Sequence, residues 1–365
     1  MNCIPGQSQT WLLSSAVNTD ETAGFQDLMK WQNATDFEAH VPRSEVLLIP
    51  LIWRKYKDQL HGSPLDERFG GLFKKSFYNN SLQYHLLGQL VEVLEKGCYN
   101  YAFTDSVAVN YYLYRDHGIR TIDQINILIE PKALLSLITD LQQMGYSARY
   151  SEITPEKVTS GVYSAFILAH ATLKPIYLHC FPSPFHNQKL TNSDFLEDAK
   201  KVELKGISIR LLQPEKLFVF LLLNNSFSSD WYWIADAVLL CRKYVIPIQT
   251  PRPFMEKIHL YHTTATMLEF LWREFRVGSV EEQKFYEAQP LALTDRYVMQ
   301  AKNPTDLKFR VAQIVNFHGM NHEKNLSMHL INKLIIWYYN IVETTRTKEI
   351  PGKATRFFRN LLGIS

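Results

Sequence analysis

Cysteine is scarce in this chain of 365 residues, which contains only Cys3, Cys98, Cys180 and Cys241. No two of them have the spacing of zinc ligands, and a chain of this size does not read as a small disulfide scaffold. A reducing compartment is the simplest interpretation, so we expect a cytoplasmic protein. The N-terminal sequence lacks both a basic leader and a long apolar stretch, and it therefore does not predict a signal peptide.

The sequence also lacks long apolar runs and a large excess of charge of one sign. Its longest purely apolar run, Leu217–Leu223, is far shorter than the roughly 20 residues that span a bilayer, so no transmembrane segment is predicted. The 39 basic and 36 acidic residues give a formal net charge of +3, which is no strong signal for nucleic-acid binding. Apolar residues nevertheless make up 46% of the chain, which predicts a folded protein with a large core.

The spacing of apolar residues divides the chain into three regions. The first region carries apolar side chains at helical intervals, most clearly in the stripe from Leu82 to Leu94. Short strand patterns follow, and the segment 124–130, with sequence QINILIE, is the strongest of them. From Pro214 onward the spacing is helical again. We expect a helical N-terminal region at 1–96, a sheet core at 97–182 and a helical C-terminal region at 183–365.

The central region has the order of elements expected of an α+β sheet. Pro131 predicts the start of a helix that runs to Met144, because Pro is favoured at the first helical position and Gly145 follows the end. The other predicted elements of this region are strands at Tyr99–Phe103, Ser147–Ile153, Tyr163–His170 and Leu173–Cys180 and a helix at Ser106–Arg115. The predicted fold class is therefore α+β, with a mixed sheet flanked by helical regions.

The segment Tyr114–Pro131, with sequence YRDHGIRTIDQINILIEP, resembles a bacterial family of uncharacterised nucleotidyltransferases in the polymerase-β-like superfamily. In that family a Tyr-rich helix end is followed by Gly, Arg, Asp-x-Asp, an apolar strand and Pro; Gly118, Arg120 and Pro131 fit. The resemblance covers most of the chain and includes the helical segment Trp231–Leu240. No single motif is specific; the order and spacing of many weak matches carry the likeness.

The resemblance implies a nucleotidyltransferase-like sheet and metal-dependent chemistry. Enzymes of this kind use two divalent cations to hold a triphosphate and activate the attacking oxygen, and Mg²⁺ prefers carboxylate oxygens. Two Asp residues at i and i+2 of a strand place both carboxylates on one face, and a neighbouring strand supplies a third acid. The N-terminus of a helix holds the phosphates through backbone N–H groups.

This chain departs from that pattern at each landmark. Gln124 and Asn126 occupy the positions of the paired acids, and Tyr177 occupies the position of the third. The family's Lys-Gly turn aligns with Asp105 and Ser106. Amides are poor ligands for Mg²⁺, and an Asp at the turn would repel a triphosphate. The resemblance leaves Asp105, Ser106, Gly118 and Arg120 as candidate cofactor-binding positions and no metal site.

Nearby residues have alternative interpretations. Asp123 precedes Gln124, and strand alternation predicts that it lies on the side of Ile125 and Ile127, as a strand-entry residue. Asp105 suits the start of a helix, which its carboxylate would cap. We expect Arg120 to be structural, near the cleft rim and paired with a carboxylate or backbone carbonyls. His179 aligns with a His that is common in the family, and a sheet histidine satisfied by hydrogen bonds is the alternative.

Three hypotheses about function remain open. The first is a nucleotidyltransferase-fold pseudoenzyme that binds a small molecule or a protein partner without a cofactor. The second is an active nucleotidyltransferase that uses Asp105 with Asp123, together with Mg²⁺ and a nucleoside triphosphate. The third is a peripheral membrane contact through the C-terminal segment 353–365, where Phe357 and Leu361 lie four residues apart. A final helix packed on its own protein would explain that stripe equally.

Overall fold

The N-terminal helices begin and end at positions where the sequence supplies the appropriate signals. The chain is described by a computed structural model, which covers residues 4–36, 41–149, 153–155, 158, 164–185, 190–226, 230–258 and 262–278. Asp20 caps the second helix, because its side chain accepts hydrogen bonds from the backbone N–H groups of Thr22 and Ala23. Gly62, at φ +77°, lies in the break between the third and fourth helices, and Pro64 begins the long fourth helix. These helices are α1 (Gln7–Val17), α2 (Glu21–Ala34), α3 (Arg43–Leu60) and α4 (Pro64–Lys96).

A mixed seven-stranded sheet follows, in the order β3-β4-β5-β2-β1-β7-β6. Strand β2 pairs antiparallel with β1 and parallel with β5, so polar side chains on β2 lie in the middle of the sheet. The elements up to β5 are β1 (Tyr101–Thr104), α5 (Asp105–Leu113), β2 (Ile125–Ile129), a 3₁₀ turn (Pro131–Ala133), α6 (Leu134–Gln143), β3 (Ser147–Ala148), β4 (Ala165–Ala169) and β5 (Ile176–His179).

The rest of the described chain adds a hairpin and further helices. Strands β6 and β7 form an antiparallel hairpin whose last register pair is Leu204 and Ile207. The hairpin lies in the region for which helices were predicted, and the sequence did not indicate it. The elements are α7 (Ser193–Leu196), β6 (Lys200–Leu204), β7 (Ile207–Leu211), α8 (Pro214–Asn225), α9 (Trp233–Tyr244), α10 (Arg252–Ile258) and α11 (His262–Phe275).

One hydrophobic core runs from α1 to α11 and includes both faces of the central strands. Every residue of β2 is buried, which explains the nearly continuous apolar sequence INILI. The predicted fold class, α+β with a mixed sheet flanked by helical regions, is confirmed. The boundaries predicted at 96 and 182 stay a prediction.

No helix in the described part of the chain is long and apolar enough to cross a membrane. The part of the predicted helical C-terminal region from residue 279 onward, including the segment 353–365, lies outside the described residues.

Candidate functional site

The amide side chains of Gln124 and Asn126 lie together at the start of β2. Gln124, just before the strand, donates from Nε2 to Oδ1 of Asn126 at 3.4 Å. Ile125 and Ile127 are fully buried in the core, and the two-residue period of a strand places them on the opposite face. The predicted alternation of this segment is confirmed.

Asn126 joins a histidine and a carboxylate through hydrogen bonds. Nε2 of His179 lies 2.9 Å from Asn126 Oδ1, and Asn126 Nδ2 donates to Asp105 Oδ2 at 3.2 Å. Burial lowers the pKa of His179 to about 4, so the ring is neutral near pH 7 and its Nε2–H is the donor. The ring also packs edge-on against Phe220, with 5.2 Å between centroids. His179 is thus a buried sheet histidine bonded to the amide at position 126.

Asp105 lies where β1 turns into α5, in an unusual backbone conformation. Its φ is +48°, in the left-handed region that Asp tolerates better than most residues. Burial raises the pKa of Asp105 to about 7, while Arg120 opposes the rise and Asp236 adds to it. The next residue, Ser106, donates its hydroxyl to the carbonyl oxygen of Gln124 at 3.2 Å. Both turn residues are therefore held against the start of β2.

Arg120 is the cation at the centre of this group of residues. Its Nε donates to Asp236 Oδ2 at 2.9 Å, and Nη1 donates to the carbonyl of Thr121 at 2.9 Å. The guanidinium carbon lies 4.5 Å from the ring centroid of Tyr232. Tyr114 donates its hydroxyl to the other oxygen of Asp236 at 3.1 Å. The predicted pairing of Arg120 with a carboxylate and a carbonyl is confirmed, although the residue is buried rather than at a rim, with 3% exposure.

Gly118 allows the ring of Phe73 to pack close to the backbone. A Cβ atom at this position would lie 2.5 Å from the ring of Phe73. Its backbone N–H donates to Asp116 Oδ1 at 3.0 Å. Any larger residue would require the Phe73 ring to move, and this contact explains the glycine without a ligand.

The strand alternation argument does not extend to Asp123, and its predicted place on the side of Ile125 and Ile127 stays a prediction. Strand β2 begins only at Ile125, so the two-residue period does not fix the side chain of Asp123. Its carboxylate bonds Arg43, which also donates to Asp230 at 2.8 Å. The charge of Asp123 helps to raise the pKa of Asp105, after the larger effect of burial. It is a strand-entry residue that also lies at the edge of the buried polar group.

Tyr177, at the position of the third acid, lies on β5 directly in register with Asn126. In-register residues of parallel strands share a face of the sheet. The aligned positions 126 and 177 are therefore brought together, but as an amide and a phenol. Among the described residues, no three His, Cys, Asp or Glu side chains are placed to hold one metal ion.

The chain is similar in structure to the antibiotic-resistance factor ANT(2'')-Ia, as seen in a solution structure. The likeness is weak. The TM-score is 0.34 and the sequence identity 12%, over 53% of this chain and 98% of that one. No protein-family model matches the sequence, and no curated protein matches it. A TM-score this low supports no inference about the site, which is therefore interpreted from its own geometry.

The buried polar group comprises Asp105, Arg120, Asn126, His179 and Asp236, with Arg43, Asp123 and Tyr232 at its edge. For two of these residues the sequence did not indicate a role in the site. Arg43 reaches the group from the start of α3, and Tyr232 packs under the guanidinium from the residue before α9. Asp236 did have a signal, because it is a lone acid among apolar neighbours in a buried helix. A charge in such a place needs a partner, and Arg120 supplies it.

Proposed function

We propose that this chain is a nucleotidyltransferase-fold protein that binds a small molecule or a protein partner and does not transfer a nucleotide. The observation that carries the proposal is the hydrogen bonding of Asn126. In the resembling family this position holds a metal-binding carboxylate. Here it is a neutral amide, bonded on one side to His179 and on the other to Asp105. Both of its polar atoms are already used within the protein.

The neighbouring carboxylates support the same proposal because each faces a guanidinium. Asp236 is bonded to Arg120, and Asp105 lies 3.7 Å from the same cation. Asp123 is bonded to Arg43. A divalent cation placed among them would have to compete with those guanidinium groups and would meet their repulsion. The charges of this group are arranged for internal pairing.

Ligand binding is supported by two polar atoms that face each other at too great a distance to bond. Asp105 Oδ1 and Arg120 Nη2 are 3.7 Å apart, beyond hydrogen-bonding range. Both are buried, and neither has a hydrogen-bond partner among the described residues. A bridging water, or a ligand hydroxyl in the same place, would satisfy both by donating to the carboxylate and accepting from the guanidinium.

The proposal is tested by calorimetric titration of the protein with Mg²⁺ and each nucleoside triphosphate, together with an assay for incorporation of labelled nucleotide. We expect neither binding at micromolar concentration nor incorporation. The matched variant Gln124→Asp/Asn126→Asp should bind Mg²⁺ more tightly, without activity while Tyr177 remains. Metal-dependent micromolar binding by the unmodified protein, or incorporation into any acceptor, would contradict the proposal.

A second candidate is an active transferase that uses Asp105 and Asp123. It is favoured by the negative charge of Asp123, which adds to the rise in the pKa of Asp105 that burial causes. In that case Asp105→Asn and Asp123→Asn would each abolish nucleotide incorporation. Arg43→Gln, which frees Asp123 from its cation, would retain or increase it.

The membrane-contact hypothesis depends on residues 353–365, which are outside the described part of the chain, and it stays a prediction. The cytoplasmic location also stays a prediction.

A further inference from the structure

A cleft lies between α3 and the C-terminal end of α5. Its volume is about 370 Å³, which falls within the range of small-molecule sites. Leu51, Arg54 and Lys55 line one side, and the chain from Leu113 through Asp116 lines the other. Of these side chains, only Tyr114 also contacts the buried polar group, through its hydrogen bond to Asp236. The others have no part in the proposed function.

The cleft is rich in positive charge. Arg54, Lys55 and Arg115 line it, and Asp116 is its single carboxylate. Arg54 Nε lies 3.3 Å from Asp116 Oδ2, so one cation is paired. The Lys55 ammonium donates to the carbonyl oxygens of Ser15 and Asn18, which carry no net charge. The cleft therefore carries three cationic side chains and one carboxylate, an excess of positive charge.

Arg115 is the most available of the three cations. It is exposed at the mouth of the cleft. Within the part of the chain that the structure describes, it forms no hydrogen bond or ion pair. A guanidinium offers two parallel N–H donors to a phosphate or carboxylate, so this residue can bind an oxyanion without breaking a contact of the fold.

The remaining walls of the cleft are apolar. Leu51 of α3, Leu113 at the end of α5 and Ile119 line the cleft with aliphatic side chains. An inorganic anion would leave these surfaces in contact with water. A ligand with an apolar body beside its charged group would cover them, with a gain of about 25 cal/mol for each Å² buried.

We propose that this cleft binds an organic phosphate, with the phosphate group at Arg115 and Arg54 and a compact apolar body against Leu51, Leu113 and Ile119. A phosphate dianion balances the excess of cations better than a single carboxylate does. Two guanidinium groups can also bind its oxygens from two sides. The site is independent of the amide at position 126 and needs no metal ion.

The test is a titration of the full chain with phenyl phosphate, inorganic phosphate and benzyl alcohol in turn, in metal-free buffer, followed by ³¹P and ¹H NMR. Phenyl phosphate should bind about tenfold more tightly than either of the other two, because only it satisfies both the cations and the apolar walls. Equal binding of phenyl phosphate and benzyl alcohol would overturn the role of the cations. Equal binding of the two phosphates would overturn the role of the apolar walls.

Matched variants locate the site. Arg115→Gln and Arg54→Gln should each weaken phenyl phosphate binding by about tenfold or more, the usual effect of losing a charged hydrogen bond. Lys57→Gln removes the same charge from an exposed position on α3 that does not line the cleft, and it should change the affinity by less than about twofold. Equal weakening by all three variants would indicate diffuse attraction and overturn the proposal, as would the absence of saturable binding. This binding is measured in metal-free buffer with phenyl phosphate, separately from the titration with Mg²⁺ and nucleoside triphosphates, so failure here is distinguishable from failure of the proposed function.

Discussion

The buried pair of Arg120 and Asp236 shows how one residue can connect distant segments. Burial raises the pKa of Asp236, and Arg120 limits the rise without cancelling it. Neither charge would be stable alone at this depth, because an uncompensated buried ion costs several kcal/mol. The carbonyl of Arg120 also accepts hydrogen bonds from the side chains of Asn80 and Asn110. The residue therefore ties α4, α5 and α9 to the chain before β2.

Arg120→Ala should lower the free energy of unfolding by about 3–5 kcal/mol, because it leaves Asp236 buried without its cation. Urea denaturation followed by circular dichroism measures the effect. Arg115→Ala is the control, since that side chain is exposed, and it should change stability by less than about 0.5 kcal/mol. An unchanged unfolding midpoint for Arg120→Ala would contradict the structural role.

Asp105 should make stability depend on pH between about 4 and about 7. Its pKa rises from 3.8 to about 7 in the folded state, so the folded protein holds this proton more tightly than the unfolded chain does. Its contribution is complete below pH 3.8 and is lost as the pH rises through 7. Asp105→Asn, which keeps the shape and tolerates the left-handed backbone, should remove this loss and be the more stable form at pH 8. Unfolding midpoints measured from pH 4 to pH 8 test this.

Asp58→Asn is the control for that experiment, because Asp58 is exposed on α3. Its pH profile should follow that of the unmodified protein. If the unfolding midpoint of Asp105→Asn varies with pH as that of the unmodified protein does, the folded state does not raise the pKa of the Asp105 carboxyl.

Elements whose sequence carries its own periodicity were predicted well. The pattern QINILIE predicted the strand β2 and the proximity of the amides at positions 124 and 126. The helix predicted after Pro131 appears as a 3₁₀ turn followed by α6, with Gly145 at φ +87°. Strand β3 is shorter than predicted and comprises only Ser147 and Ala148. An edge strand depends on a single neighbour, so its length is not fixed by its own sequence.

The hairpin of β6 and β7 was missed because its turn lacks the usual signal. Its two-residue loop is Lys205-Gly206, with φ of +56° and +77°. Turns of this kind normally carry Asn-Gly or Asp-Gly, which tolerate positive φ. The strands are short and polar on one face, with Lys200 and Lys201 exposed, so their pattern alone was weak.

Lys205→Asn should therefore raise the free energy of unfolding by about 0.5–1 kcal/mol, because it relieves the strain of a left-handed lysine. Thermal unfolding measures it. Gly206→Ala is the opposite change: nothing lies within 4 Å of the added Cβ, yet the positive φ should cost about 1 kcal/mol. A fall in melting temperature for Lys205→Asn would show that lysine makes a contact that outweighs the strain.

At the scale of the whole molecule, the candidate site is assembled from parts that no local pattern connects. Arg43 meets Asp123 across 80 positions and Asp230 across 187. Asp105 meets Asn126 through the pairing of β1 with β2, and Arg120 meets Asp236 of α9 across 116 positions. The family resemblance indicated which positions align, but it carried no information about the pairing of their charges. That pairing depends on tertiary structure.

The N-terminal helices are joined to the rest of the described chain by buried and half-buried contacts of several kinds. The end of α1 is bonded from two directions: Lys55 donates to the carbonyls of Ser15 and Asn18, and Arg242 of α9 donates to that of Val17. The apolar core is likewise continuous from α1 through the sheet. Separating α1 from the sheet would break these hydrogen bonds and expose part of the core, so it should cost a large share of the free energy of unfolding.

We therefore expect the helices of residues 4–96 and the sheet to unfold in one transition, although the sequence divides them at residue 96. Hydrogen exchange measured by mass spectrometry at increasing urea should give the same opening free energy and the same urea dependence for peptides from α1 and from β2. Arg242→Gln, which removes a bond from α9 to α1, should lower both together. Arg252→Gln alters an exposed pair within α10 and should lower neither by more than about 0.5 kcal/mol. If α1 exchanges through an opening of lower free energy than β2, with its own smaller urea dependence, then the N-terminal helices are a separate cooperative unit, and the division at residue 96 is physical as well as a pattern in the sequence.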